Sequence, residues 1–148
     1  MTTQELLNQK KANEDEENSA VTAYKRNNLH IESKIKLVEA LYEGILTFNR
    51  NTAKAIQEGD VEAKIQWLNR TGDIFAELIS ALDKKAEGTI SEYLEGLYSH
   101  QIQVLFEVNR NDDLEKLESV TNVVRGLLDA WREETGINSA ETKEQEAE

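Results

Sequence analysis

The sequence has no cysteine and no proline, and only seven glycines in 148 residues. Without cysteine there is no disulfide scaffold, no thiol nucleophile and no cysteine-held metal, and the composition fits a reducing compartment. Without proline, and with glycine scattered, little punctuates the chain, so long uninterrupted helices are the natural expectation. Scattered glycines cannot form a phosphate-cradling loop. No apolar run approaches the roughly 18 residues that a membrane span needs. The opening Met1-Thr2-Thr3-Gln4-Glu5 shows no charged-then-apolar leader. Basic residues are the scarcer charge, 17 Lys and Arg against 29 Asp and Glu, for a net charge of −12. Such a field repels phosphate backbones and excludes nucleic acid as a natural partner.

What is present reads as one domain with two acidic ends. Residues 1–19 set Lys10 and Lys11 against Glu5, Glu14, Asp15, Glu16 and Glu17. Residues 137–148 set Lys143 against Glu141, Glu144, Glu146 and Glu148. Neither end has an aromatic residue, and neither can bury enough surface to offset the entropy of ordering. Both are expected to be mobile tails around a folded part spanning 20–136.

Four helices follow from the punctuation. Ser33 is placed as the cap of a first helix ending near Gln57. After the Glu58-Gly59-Asp60 turn, Asp60 caps a second, to about Leu82. Residues 83–88 form a charged loop. Thr89-Ile90-Ser91-Glu92 is a capping box that opens a third helix, to about Asn109. Asp112, with Glu115 at the same spacing, opens a fourth that stops at Gly136. Short connections make neighbouring helices antiparallel. The expected fold is all-α, an up-down four-helix bundle with a short N-terminal strap.

The helix faces carry more information. With Ile35 at zero, Leu37, Val38, Leu41, Tyr42, Ile45, Leu46, Phe48, Ala53 and Ile56 fill an arc of about 180°. On the third helix, Ile90, Tyr93, Leu94, Leu97, Tyr98, Ile102, Val104, Leu105, Phe106 and Val108 spread over about 220°. The fourth is closer to a single stripe, with Trp131 placed near its centre beside Val120, Val124 and Leu128. A stripe a little over about 100° wide serves one core. The surplus on the first and third helices has two compatible readings: each helix touches two neighbours, or an apolar groove awaits a peptide. On the third helix, the Tyr93, Leu97, His100 and Val104 edge is expected to form the groove, with Gln101 nearby. The Tyr98, Ile102 and Phe106 row, at i, i+4 and i+8, is expected to be permanent packing.

The catalytic inventory is mostly negative. Neither His30 nor His100 has a glutamate three residues before it, so no di-iron motif exists. A phosphotransfer bundle carries one exposed histidine, which His100 can supply. That family's Lys-Gly pair is absent, since Gln101-Ile102-Gln103-Val104 follow. Ser99 and His100 point about 100° apart and form no triad. No catalytic residue, metal ligand or cofactor is assigned. Phosphotransfer through His100, and a structural subunit that self-associates through the wide faces, are the alternatives to a binding module.

Several segments carry a resemblance: Ala23-Tyr24-Lys25-Arg26-Asn27, Leu41-Tyr42-Glu43-Gly44-Ile45, Trp67 to Leu82 with Arg70 and Asp73-Ile74, Gly96-Leu97-Tyr98, and Leu127-Leu128-Asp129-Ala130-Trp131-Arg132-Glu133. In order and spacing over about residues 20–135, these resemble the flagellar secretion chaperone FliS family. The chain departs from that pattern at Ser33-Lys34, where the family has Ser-Pro, and at Val21, where many members have tyrosine. The resemblance implies a cytoplasmic, non-enzymatic helical bundle. It implies binding of the C-terminal segment of flagellin, protection from premature polymerisation, and delivery to a component of the type III export gate. Other flagellar assembly proteins are further implied partners, with no membrane insertion. Client contacts are expected at Tyr24, Asn27, Tyr42, Ile45, Leu46, Tyr93, Leu97, His100, Gln101 and Val104. Tyr24 and Asn27 lie in a segment that either covers the groove until the client displaces it or is a plain strap.

Overall fold

The computed structural model describes residues 2–83 and 90–136. They form four α-helices: α1 (Thr3–Glu58), α2 (Val61–Ser80), α3 (Ile90–Asn111) and α4 (Leu114–Thr135). No strand occurs among the described residues. The expected all-α, four-helix architecture is the one observed. The chain divides into two units, residues 1–37 and residues from 38 onward.

The first unit differs from expectation in where its helix starts. α1 begins at Thr3 and not at Ser33. Thr2 and Glu5 form the capping box that starts it: Glu5 N–H donates to Thr2 Oγ1 and Thr2 N–H donates to Glu5 Oε2, each at 3.2 Å. From Thr3 to Glu43 there is no glycine or proline to stop the helix. Lys34 supplies no proline constraint that would turn Ser33 into a cap. The segment expected as a strap is therefore a stretch of regular helix. Residues 2–34 are all exposed, including Leu6, Leu7, Val21, Tyr24, Leu29 and Ile31.

In the second unit, the C-terminal part of α1, from Val38 on, joins α2, α3 and α4 around a core of Val38, Tyr42, Ile45, Leu68, Phe75, Leu78, Tyr98, Leu105, Val108, Leu117, Val120, Val124 and Leu128. α2 packs on α3, and α3 on α4. α1 closes the ring on both sides. Its Phe48 stacks tilted on Trp67 of α2, with ring centroids 5.3 Å apart. Its Asn49 donates from Nδ2 to Thr121 Oγ1 of α4 at 3.1 Å. Gly44 permits the α1–α2 approach, because a Cβ there would stand 3.1 Å from Ile74 Cδ1.

The turns are built much as read, with one shift. Asp60 caps α2 by accepting from Ala63 N–H at 3.1 Å. α4 is capped by Asp113, which accepts from Lys116 N–H, and not by Asp112. Asp112 instead takes a left-handed backbone, φ +50°, which aspartate tolerates better than most residues. Lys64 of α2, whose side chain is 9% exposed, holds this turn. Its Nζ donates to Asn109 O at 3.1 Å and to Asp112 Oδ1 at 2.7 Å. Gly136, at φ +73°, ends α4 as expected. The Thr89 capping position, most of the charged loop and the 137–148 tail lie outside the described residues.

Candidate client-binding surface

α3 lies against three helices, and its residues sort by direction. Tyr98 points across the bundle to α1. Its hydroxyl meets that of Tyr42 at 2.5 Å, and its ring tilts against Phe75 with centroids 6.1 Å apart. Burial, chiefly, pushes the ionisation of both hydroxyls above the ordinary tyrosine range. Leu105 and Val108 complete this buried face.

On the side toward α4, Leu97 and Val104 are half-buried, while Tyr93 and His100 are exposed. Lys116 of α4 reaches back to Glu107, donating to Oε2 at 2.6 Å. That bond holds the Glu107 carboxyl below its ordinary range and raises the Lys116 ammonium above its own.

On the side toward α2 the surface is open. Leu68, Asn69, Gly72 and Asp73 of α2 face Ile102, Leu105, Phe106 and Asn109 of α3 across a groove of about 300 Å³. Leu68 and Leu105 are buried and form its apolar floor, whereas Phe106 is 67% exposed. Phe106 is therefore not permanent packing, contrary to the expectation for its row. Tyr98 alone of that row is fully sealed, and Ile102 is half-buried. The reason is angular: four residues advance a helix by about 400°, so an i, i+4, i+8 row drifts about 80° around the axis over its length. The row starts in the core at Tyr98 and leaves it by Phe106.

The expected client contacts fall into three groups. Tyr42, Ile45 and Gln101 are buried and form part of the core, with Leu46 half-buried at its border. Tyr93, Leu97, His100 and Val104 lie along the α4-facing edge of α3. Tyr24 and Asn27 belong to the first unit, exposed on α1. The groove-lining residues Leu68, Gly72 and Phe106 were missed. A helical wheel of α2 carries the signal, since Val61, Ile65, Leu68 and Gly72 fall on one edge at i, i+4, i+7 and i+11. Val61 and Ile65 are exposed. Trp131 is half-buried against the core, beyond the fully buried Leu117, Val120, Val124 and Leu128 stripe of α4.

Among the described residues no cluster of three or more His, Asp or Glu is placed to hold a metal ion. No helix there is long and apolar enough to cross a membrane. The surface can present apolar side chains to another chain, with a polar rim of Asn69, Asp73 and Asn109.

Comparison with known proteins agrees with this architecture. The family described as Flagellar protein FliS matches residues 17–138. The Flagellar secretion chaperone FliS of Campylobacter jejuni is 44% identical over 116 residues, covering 78% of this chain and 91% of that protein. Its namesake in Bacillus subtilis is 30% identical, covering 76% of this chain and 83% of that protein. A solved structure described as a flagellar chaperone from bacteria superposes with a TM-score of 0.65 over 70% of this chain and 84% of its own, at 18% identity, and so supports the fold. The chain belongs to the FliS family of flagellar proteins, whose curated relatives are named as secretion chaperones and not as enzymes.

Proposed function

We propose that this protein is a cytoplasmic export chaperone. It binds the C-terminal segment of flagellin, masks the apolar faces by which that segment polymerises, and passes it to the type III export gate. The observation that carries this reading is the α2–α3 groove with its two-thirds-exposed Phe106. A buried apolar floor, an exposed aromatic wall and a polar rim are what an amphipathic segment requires of a receptor. The Tyr93, Leu97, His100 and Val104 edge gives a second strip along which the same segment can continue.

Nothing in this task needs catalysis. The client must be released at the gate, so its net affinity has to be limited. Folding a disordered segment on binding costs ordering entropy, which lowers affinity without shrinking the contact. Calorimetric titration with a peptide of the flagellin C-terminal segment tests the proposal. A saturable one-to-one complex is expected, absent with flagellin truncated before that segment. Equal binding of the truncated flagellin would overturn it.

A further inference from the structure

Glycine in a helix interior needs a reason, because alanine holds a helix better. α1 supplies such a reason at Gly44, where a Cβ would come within 3.1 Å of Ile74. α2 supplies none at Gly72. A Cβ built there meets nothing within 4 Å, yet Gly72 is half-buried and lines the α2–α3 groove. The space above it belongs to the groove and not to the fold.

The groove's chemistry describes what fits. At about 300 Å³ it sits at the small end of ligand pockets, large enough for one or two side chains. Its lining contains no Lys or Arg. Asp73 on its rim has no basic partner among the described residues. Phe106 stands on the facing wall.

We propose that Gly72 is the specificity-determining residue of this groove. Its bare backbone admits one large apolar side chain of a helical client segment, seated against Phe106. A Lys or Arg one turn away on the same segment meets Asp73. This rests on the chaperone reading and deepens it: the client class is an amphipathic helix with an aromatic or leucine anchor and a basic residue three or four positions from it. An added methyl at Gly72 occupies the anchor's place.

Stability and binding then move in opposite directions, which separates this role from a structural one. Gly72→Ala is expected to raise the melting temperature by a few degrees. The same change weakens peptide binding about tenfold or more. Gly126→Ala on α4, where a Cβ also meets nothing within 4 Å, is expected to raise melting similarly and leave binding unchanged. Two probes are titrated into each variant: the flagellin C-terminal peptide, and a designed helical peptide with Phe and Lys four residues apart. Weakened binding of either probe by Gly72→Ala alone supports the inference. If the wild-type chain binds only the designed peptide, and Gly72→Ala weakens that binding, the groove assignment stands and flagellin is not the client. If Gly72→Ala binds flagellin peptide as well as wild type does, the inference falls while the chaperone reading survives. Failure of the wild-type chain to bind either probe overturns both. A lowered melting temperature in Gly72→Ala would show that the methyl meets the fold, which also overturns the inference.

Discussion

α3 has two faces that begin from similar residues and end in opposite states. Toward α1, Tyr98 is 2% exposed, its ring against Phe75 and its hydroxyl on Tyr42. Toward α2, Phe106 is 67% exposed at the rim of an open groove. Both are large aromatics on one helix, two turns apart. Tyr98 has a partner for every part of its surface, the hydroxyl included, whereas Phe106 has an apolar floor beside it and a missing side chain opposite, at Gly72. A core is made where polar and apolar groups are both answered from within the chain. A binding surface is left where the chain withholds the last side chain.

The largest expected effect breaks the sealed face. Tyr98→Ala removes a fully buried aromatic and should cost about 3–5 kcal/mol of unfolding free energy. Phe106→Ala should change stability by no more than about 0.5 kcal/mol. Urea denaturation of both variants checks the pair. Similar losses in the two would mean that Phe106 is part of the core and the groove is closed in solution.

A finer cut tests whether the hydroxyl pair matters apart from the rings. Tyr42→Phe leaves the Tyr98 hydroxyl buried without its partner, at an expected cost of about 1–3 kcal/mol. Replacing both tyrosines by phenylalanine removes both polar groups and should recover much of that loss. The pair also predicts an alkaline weakness. Burial raises the ionisation of both hydroxyls, so folding favours the neutral forms. Their contribution is complete below the unfolded tyrosine pKa of about 10 and is lost progressively as pH rises above it. The double phenylalanine variant should lose less stability between pH 9 and 11 than wild type. Parallel pH profiles for the two proteins would show that the hydroxyls are not buried in solution.

Much of this fold was legible from the sequence, and the exceptions have physical causes. The Asp60 cap, the Gly59 turn and the Gly136 stop are local chemistry, readable from residue type alone. The start of α1 was misplaced because Ser33 has the right side chain for a cap but nothing beside it to end a helix, while Thr2 and Glu5 close a box near the start of the chain. The width of α3's apolar arc was legible, but its division was not. Which edge is sealed depends on what the neighbouring helices present, and Gly72 shows itself only where an empty space coincides with the groove lining. Periodicity also assigned Tyr42 and Ile45 to a client, because an apolar arc does not say which part of it is already covered. Lys64 carries no sequence signal of its burial. Its burial follows from two oxygens at the α3–α4 turn, a long-range pairing no local pattern encodes.

The open face has its own test at smaller energy. Phe106→Ala should weaken the flagellin C-terminal peptide about tenfold, roughly 1.4 kcal/mol, while melting stays near wild type. Unchanged affinity would leave the α4-facing strip of Tyr93, Leu97, His100 and Val104 as the place where the client sits. His100→Ala and Val104→Ala, titrated in the same way, would then carry the loss.

The smallest expected effect lies on the remaining edge, between α4 and α1, which is closed by charge as well as by apolar contact. Arg132 donates from Nε to Glu39 Oε2 at 3.3 Å and from its terminal nitrogen to Glu43 Oε1. The guanidinium therefore ties the end of α4 to two successive turns of α1. The Arg132 and Glu39 side chains are 25% and 20% exposed, so water screens this pair only in part. Partly exposed ion pairs of this kind contribute modestly, and Arg132→Ala should cost about 0.5–1 kcal/mol. Salt separates its mechanism from that of the aromatic face. The difference between wild type and Arg132→Ala should shrink in 1 M NaCl, where the Debye length falls to about 3 Å. The loss from Tyr98→Ala should not shrink, because apolar burial is not screened. If the Arg132→Ala loss is the same at both salt concentrations, Arg132 acts through the packing of its aliphatic stem, and the α1–α4 edge is sealed in the same way as the tyrosine face.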